Sequence, residues 1–225
     1  VVVTPASGTA SKVTVTVHGD GIFHVIAAPK VAAGATSDTS LMVPSPPEAG
    51  AFTIADQDGH VLLKTARDTA DIDLATGKVR FLDASGNELL NQSGQPGFRP
   101  ETIDGKPFVA VSQQFNRGSD EGLYGLGQHQ NSQMNYNGED VELAQHNMDI
   151  AVPFLVSTRN YGLLWDNNSI TRVGDPEPYE KLSLDWQADY YLGDRMVISR
   201  AEDTVDYQYI RDQSRWPAEA TAAVE

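Results

Sequence analysis

Apolar residues recur at every second position along most of this chain. Val13, Val15 and Val17 alternate with Thr14, Thr16 and His18, and Phe23, Val25 and Ala27 share one face after the turn Gly19-Asp20-Gly21. Leu182, Leu184 and Trp186 alternate with Ser183 and Asp185. A period of two puts one face of a strand on a core and the other in water, whereas a helix needs a period near 3.6. Gly-containing turn signals punctuate the runs: Asp58-Gly59, Thr76-Gly77, Ser85-Gly86-Asn87, Asp104-Gly105, Asn137-Gly138 and Leu192-Gly193-Asp194. Helical periodicity is confined to Asp203–Arg211. The pattern predicts an all-β antiparallel sandwich, with a closed barrel as the alternative that periodicity does not separate from it.

Two stretches depart from the alternation. Ala32 to Gly50 is rich in Ala, Ser, Thr, Gly and Pro and reads as a surface loop. From Trp216-Pro217 onward the chain becomes Ala-rich, with Pro where a helix begins. The expected division is a β-sandwich domain over residues 1–213 and an exit segment or linker over 214–225.

Charge and composition exclude several functions. Sixteen Lys and Arg against 31 Asp and Glu leave a net charge of −15, which opposes nucleic acid and anionic membrane surfaces. No apolar run reaches the roughly 18–20 residues of a membrane span. The chain has no Cys, which removes disulfides, thiolate zinc sites and Cys nucleophiles. Val1-Val2-Val3-Thr4 carries no signal-peptide features. No dinucleotide loop, Walker motif or nucleophile elbow occurs. Asp56-Gln57-Asp58-Gly59 has its Gly at the wrong position for a calcium loop and reads as a hairpin turn. The five His form no compact metal pair. His18 and His24 are expected to face solvent. No metal or cofactor is expected.

Residues 121–167 are different in kind. Gln128, Gln130, Asn131, Gln133, Asn135, Asn137, Gln145 and Asn147 cluster with Tyr136, Glu139, Asp140, Glu142 and Asp149. Planar polar groups, carboxylates and aromatic faces together suit neutral sugars. The plainer reading of this composition is a polar hairpin loop rich in turn formers.

Within this stretch, Glu121-Gly122-Leu123-Tyr124-Gly125-Leu126-Gly127-Gln128 resembles the E-x-x-Y-G-L-G-[EQ] signature of the N-terminal domain of glycoside hydrolase family 31. Val152-Pro153-Phe154 followed by Tyr161-Gly162-Leu163-Leu164-Trp165-Asp166-Asn167 resembles the family's next block. Asn135-Tyr136-Asn137-Gly138 and Val141 to Asn147 look most like its α-xylosidase branch, which acts on xyloglucan fragments.

The resemblance implies a galactose-mutarotase-like sandwich that precedes a (β/α)₈ barrel. The barrel would carry an Asp nucleophile and an Asp acid/base, roughly 5 Å apart as retention requires. The barrel's motifs do not occur in this chain, so no catalytic residue is assigned within it. The family's sandwich lends a loop to the pocket rim, and the matching positions place Gln145, His146, Asn147 and Asp149 there as hydrogen-bonding partners of an oligosaccharide's leaving-group side. His146 serves equally as a group that orients its neighbours. Gly125 and Gly127 are expected to serve backbone needs, and Trp165 to pack core.

After Val205-Asp206-Tyr207-Gln208-Tyr209-Ile210-Arg211 the chain departs from the usual entry into the barrel. It looks instead like those α-xylosidases with an inserted PA14-type module, so the last strands of the sandwich would come from beyond residue 225. The resemblance also implies export to the bacterial periplasm, outer surface or medium. A stand-alone carbohydrate-binding module is the competing reading. A mutarotase-like epimerase, drawing on His129, His146 and Glu142, is a third.

Overall fold

The computed structural model of the 225-residue chain describes residues 1–30, 40–103, 105–145, 147 and 149–176. It is all-β, with antiparallel strand pairing throughout its sheets. Among the described residues no helix is long and apolar enough to cross a membrane. The alternating run Leu182–Trp186, the helical expectation at Asp203–Arg211, the turn at Leu192-Gly193-Asp194 and the exit segment 214–225 lie outside the described residues. The described chain divides into two compact units, Val1–Asp120 with Arg159–Tyr161, and Glu121–Thr158 with 162–176.

In the first unit, β1 (Val2–Val3), β2 (Ala10–His18) and β3 (Ile22–Pro29) form a three-stranded sheet. A second sheet orders β11 (Phe115–Asn116), β8 (Glu88–Gln92), β7 (Val79–Asp83), β6 (Asp68–Asp73), β5 (His60–Lys64) and β4 (Thr53–Gln57) side by side. β9 (Gly97–Ile103) and β10 (Lys106–Ser112) make a separate hairpin. Val3, Val13, Val15 and Val17 of the smaller sheet form one core with Leu63, Ala70, Ile72 and Val79 of the larger. The period-two valines therefore do what their spacing predicts: they are the inner face of a sandwich. Phe23, Val25 and Ala27 pack at its margin, with Phe23 set 5.7 Å from Phe81 between ring centres.

Alternation fails at β6, where Thr69, Ala70, Asp71 and Ile72 are all buried. Ala70 and Ile72 join the core, while the carboxylate of Asp71 accepts from Arg80 Nη2 at 2.5 Å and from His60 Nδ1 at 2.8 Å. A buried carboxylate must be paired, and the two neighbouring strands supply the partners.

Asp58-Gly59 closes the β4–β5 hairpin as a two-residue turn with both φ values positive, 48° and 83°. The loop expectation holds for its described part, 40–50, which is irregular apart from one isolated bridge between Gly19 and Ala49. His18 and His24 are half-buried rather than solvent-facing. The cause for His18 is that loop, because its Nδ1 donates to the Pro47 carbonyl at 2.9 Å.

The second unit joins β12 (Leu123–Gln128), β14 (Ile150–Ser157) and β15 (Gly162–Leu164) in one sheet, and pairs β13 (Asp140–Leu143) with β16 (Thr171–Gly174). Leu126, Tyr136, Val141, Leu143, Ala144 and Leu155 are its buried apolar side chains.

Candidate functional site

The glycine-rich motif is a bulged strand. β12 and β14 pair regularly from Leu123↔Ser157 to Gly125↔Leu155, then resume at Gly127↔Ala151. Val152, Pro153 and Phe154 thus stand opposite the single Leu126. Pro153 occupies a place where the ladder is interrupted and no amide is required, and its carbonyl accepts from Trp165 N at 2.8 Å.

Leu126 takes the left-handed region, with φ 62°, between Gly125 at 117° and Gly127 at 103°. A Cβ on Gly125 would strike the Phe154 carbonyl oxygen, and one on Gly127 the Ile150 carbonyl oxygen. These two glycines therefore meet a backbone need, as expected from the motif. Trp165 is half-buried, and its Nε1 is shielded from solvent without a partner among the described residues.

Much of the amide cluster is spent on the backbone. Asn135 Oδ1 accepts from Leu123 N at 2.9 Å and from Asn137 N at 3.1 Å. Asn137 Nδ2 donates to the Glu121 carbonyl at 2.6 Å. Together with Tyr136 N donating to Leu123 O at 2.8 Å, these bonds line the start of β12 like a further strand. Asn131 Oδ1 accepts from Gln133 N at 3.2 Å. For these residues the hairpin-loop reading of the composition holds.

His129 and Tyr136 are positioned by the bulge. His129 Nε2 donates to the Leu126 carbonyl at 2.8 Å, and its ring meets the buried Tyr136 edge-on at 6.2 Å. That bond commits Nε2 as a donor and leaves Nδ1 as the acceptor nitrogen of the neutral ring. Glu142 lies on β13, paired with Arg172 of β16, which is ion-paired to Asp140.

The loop from 145 to 149 lies between β13 and β14. Gln145 Nε2 donates to the Asp149 carbonyl at 2.9 Å, and its Oε1 accepts from Ala151 N at 3.1 Å. Asp149 Oδ1 accepts from Gln130 N at 3.3 Å, which ties the loop to the segment leaving β12. Asn147 is exposed, and no described residue hydrogen-bonds its side chain. His146 lies outside the described residues. The structure thus brings Gln145 and Asp149 together through the loop's own backbone.

Gln128 and Gln130, named only as members of the cluster, flank this loop. Gln128 pairs with Ile150 in the ladder, and both side chains are exposed. The signal that could have found them is their place directly after the bulge, at the end of β12.

The model of the glycosyl hydrolase 31 N-terminal galactose mutarotase-like domain matches residues 12–173. The chain belongs to that family.

Its relatives agree. This family 31 domain is 44% identical over 72 residues to an α-xylosidase of Saccharolobus solfataricus, across 28% of this chain and 10% of that protein. It is 37% identical over 75 residues to an uncharacterized family 31 glucosidase of Pseudescherichia vulneris, across 30% of this chain and 14% of that protein. The chain thus spans about a tenth to a seventh of the curated relatives it matches. A crystal structure of a family 31 α-xylosidase from Xanthomonas citri superposes with a TM-score of 0.71 at 46% identity, covering 79% of this chain and 19% of that one. A soil-metagenome family 31 α-xylosidase shares the fold, with a TM-score of 0.58 at 24% identity over 75% of this chain and 27% of its own.

Proposed function

We propose that this domain is the N-terminal sandwich portion of a retaining α-xylosidase acting on xyloglucan oligosaccharides. The observation that carries the reading is the 46% identity over 79% of the chain to an α-xylosidase of which the chain covers only 19%. The two catalytic Asp residues would then belong to a (β/α)₈ barrel outside this chain, where one carboxyl attacks the anomeric carbon and the other shuttles the proton. A PA14-type module following residue 225, with the last sandwich strands after it, completes the proposal. So does a site of action outside the cytoplasm, which cell fractionation tests.

The domain's contribution is geometric. The loop bearing Gln145, His146, Asn147 and Asp149 forms part of the pocket rim and touches the leaving-group side of the substrate. Asn147 is exposed there with no described residue bonding its side chain, and the exposed Gln128 and Gln130 lie at and just after the end of β12. Contacts distant from the reacting bond help hold the natural substrate, so their loss lowers kcat/KM for it more than for a small synthetic one.

Residues 1–225 alone should release no p-nitrophenol from p-nitrophenyl α-xyloside, whereas the full-length protein should, with kcat/KM above that for the α-glucoside. Hydrolysis by the isolated domain would refute the division of labour. Preference for the α-glucoside would refute the substrate assignment.

A further inference from the structure

We infer that Gln145 is a positioning residue: its carboxamide holds the 145–149 loop in the shape that presents Asn147 to the sugar. This deepens the rim reading above and rests on it. Gln145 was expected to contact substrate itself, yet both ends of its amide face main chain. Nε2 donates to the Asp149 carbonyl at 2.9 Å and Oε1 accepts from the Ala151 amide at 3.1 Å.

This is the pairing a peptide unit of a neighbouring strand would offer, with one donor and one acceptor directed at residues i and i+2 of the same edge. The side chain therefore extends the ladder at the point where β14 begins. The second anchor lies on the other flank, where Asp149 Oδ1 accepts from Gln130 N at 3.3 Å. Two side chains of the loop are thus directed at backbone, and Asn147 between them is exposed. A carboxamide held this way faces the main chain, and turning toward a sugar hydroxyl would give up both bonds.

The test uses the full-length protein with two readouts. The first is hydrogen exchange of the Ala151 amide. Gln145→Met, which keeps side-chain length and removes both bonds, should raise the exchange rate about tenfold, the equivalent of one hydrogen bond. Gln145→Glu, which retains the acceptor, should raise it less, and Asn147→Ala should leave it unchanged. Unchanged exchange in Gln145→Met would overturn the clamp.

The second is a double-mutant cycle on the hydrolysis of isoprimeverose. Gln145→Met and Asn147→Ala should each raise KM severalfold with little change in kcat. Combining them should add nothing beyond Asn147→Ala, since one residue acts through the other. Additive losses would mean that Gln145 touches the sugar and would overturn the positioning role. Raised exchange with unchanged KM in every variant would keep the clamp, refute the rim reading, and with it remove the role toward substrate.

Discussion

Ser157 Oγ donates a 2.5 Å hydrogen bond to the carboxylate of Glu121, and both residues are buried, at 4% and 3% exposure. The bond spans 36 residues and joins the first residue of the glycine-rich signature to the end of β14. The lock continues just beyond the two strands, where Gly122 N donates to the Thr158 side-chain Oγ1 at 2.9 Å and Thr158 N to Gly122 O at 3.0 Å. Losing one partner of a buried hydrogen bond leaves the other unsatisfied out of water. Replacing Ser157 by Ala should therefore lower the unfolding free energy by about 2 kcal/mol, read by urea denaturation. A change near zero would mean that the bond contributes nothing net.

Gly127 combines a left-handed φ of 103° with contact against the Ile150 carbonyl oxygen. Gly59 also has a positive φ, 83°, but a Cβ there meets nothing within 4 Å. Gly59→Ala should cost about 1–2 kcal/mol, the conformational term alone. Gly127→Ala adds a backbone collision and should cost more than about 3 kcal/mol, with loss of the β12–β14 pairing. Equal midpoints for the two variants in thermal melts would contradict this account of the signature.

Ile72 is fully buried between the two sheets of the first unit, whereas Ile54 on the outer strand β4 is 62% exposed. Ile72→Ala should destabilise by about 2–5 kcal/mol through lost burial and the cavity left behind. Ile54→Ala should shift stability by about 0.5 kcal/mol or less. Chemical denaturation of the two variants side by side checks the assignment of the inner face.

The turn after β7 predicts a pH dependence. The side-chain amide of Asn87 and the backbone amides of Asn87 and Ser85 donate to the Asp83 carboxylate, at 2.9, 2.8 and 2.8 Å, and hold its pKa below the ordinary range. A carboxylate whose folded pKa lies below its unfolded value, about 3.9, stabilises the fold above that unfolded value. The contribution is lost as pH falls through the folded value. Carboxyl-carbon NMR should find the Asp83 midpoint below that of a free Asp, and Asn87→Ala should raise it. A midpoint at or above the free value would dismiss the turn as an electrostatic device.

How far the chain was legible depended on the range of the forces involved. Alternation at Val13, Val15 and Val17 sets side-chain direction within a strand, so the core face of β2 could be read locally. The positive φ values at Asp58-Gly59 and around Leu126 follow from residue type and immediate neighbours, so the hairpin turn and the glycine need could be read too. β6 could not, because its burial on both faces depends on Arg80 and His60 arriving from the strands on either side.

In the candidate loop, composition announced a cluster of carboxamides and motif order announced the family. Only the folded chain decided which carboxamides the backbone takes up. Asn135, Asn137 and Gln145 close backbone bonds, whereas no described residue hydrogen-bonds the side chain of Asn147. A side-chain amide pairs with whatever main chain the strand register brings near it. That register is a property of segments paired at long range, such as Gly127 with Ala151, rather than of any local pattern.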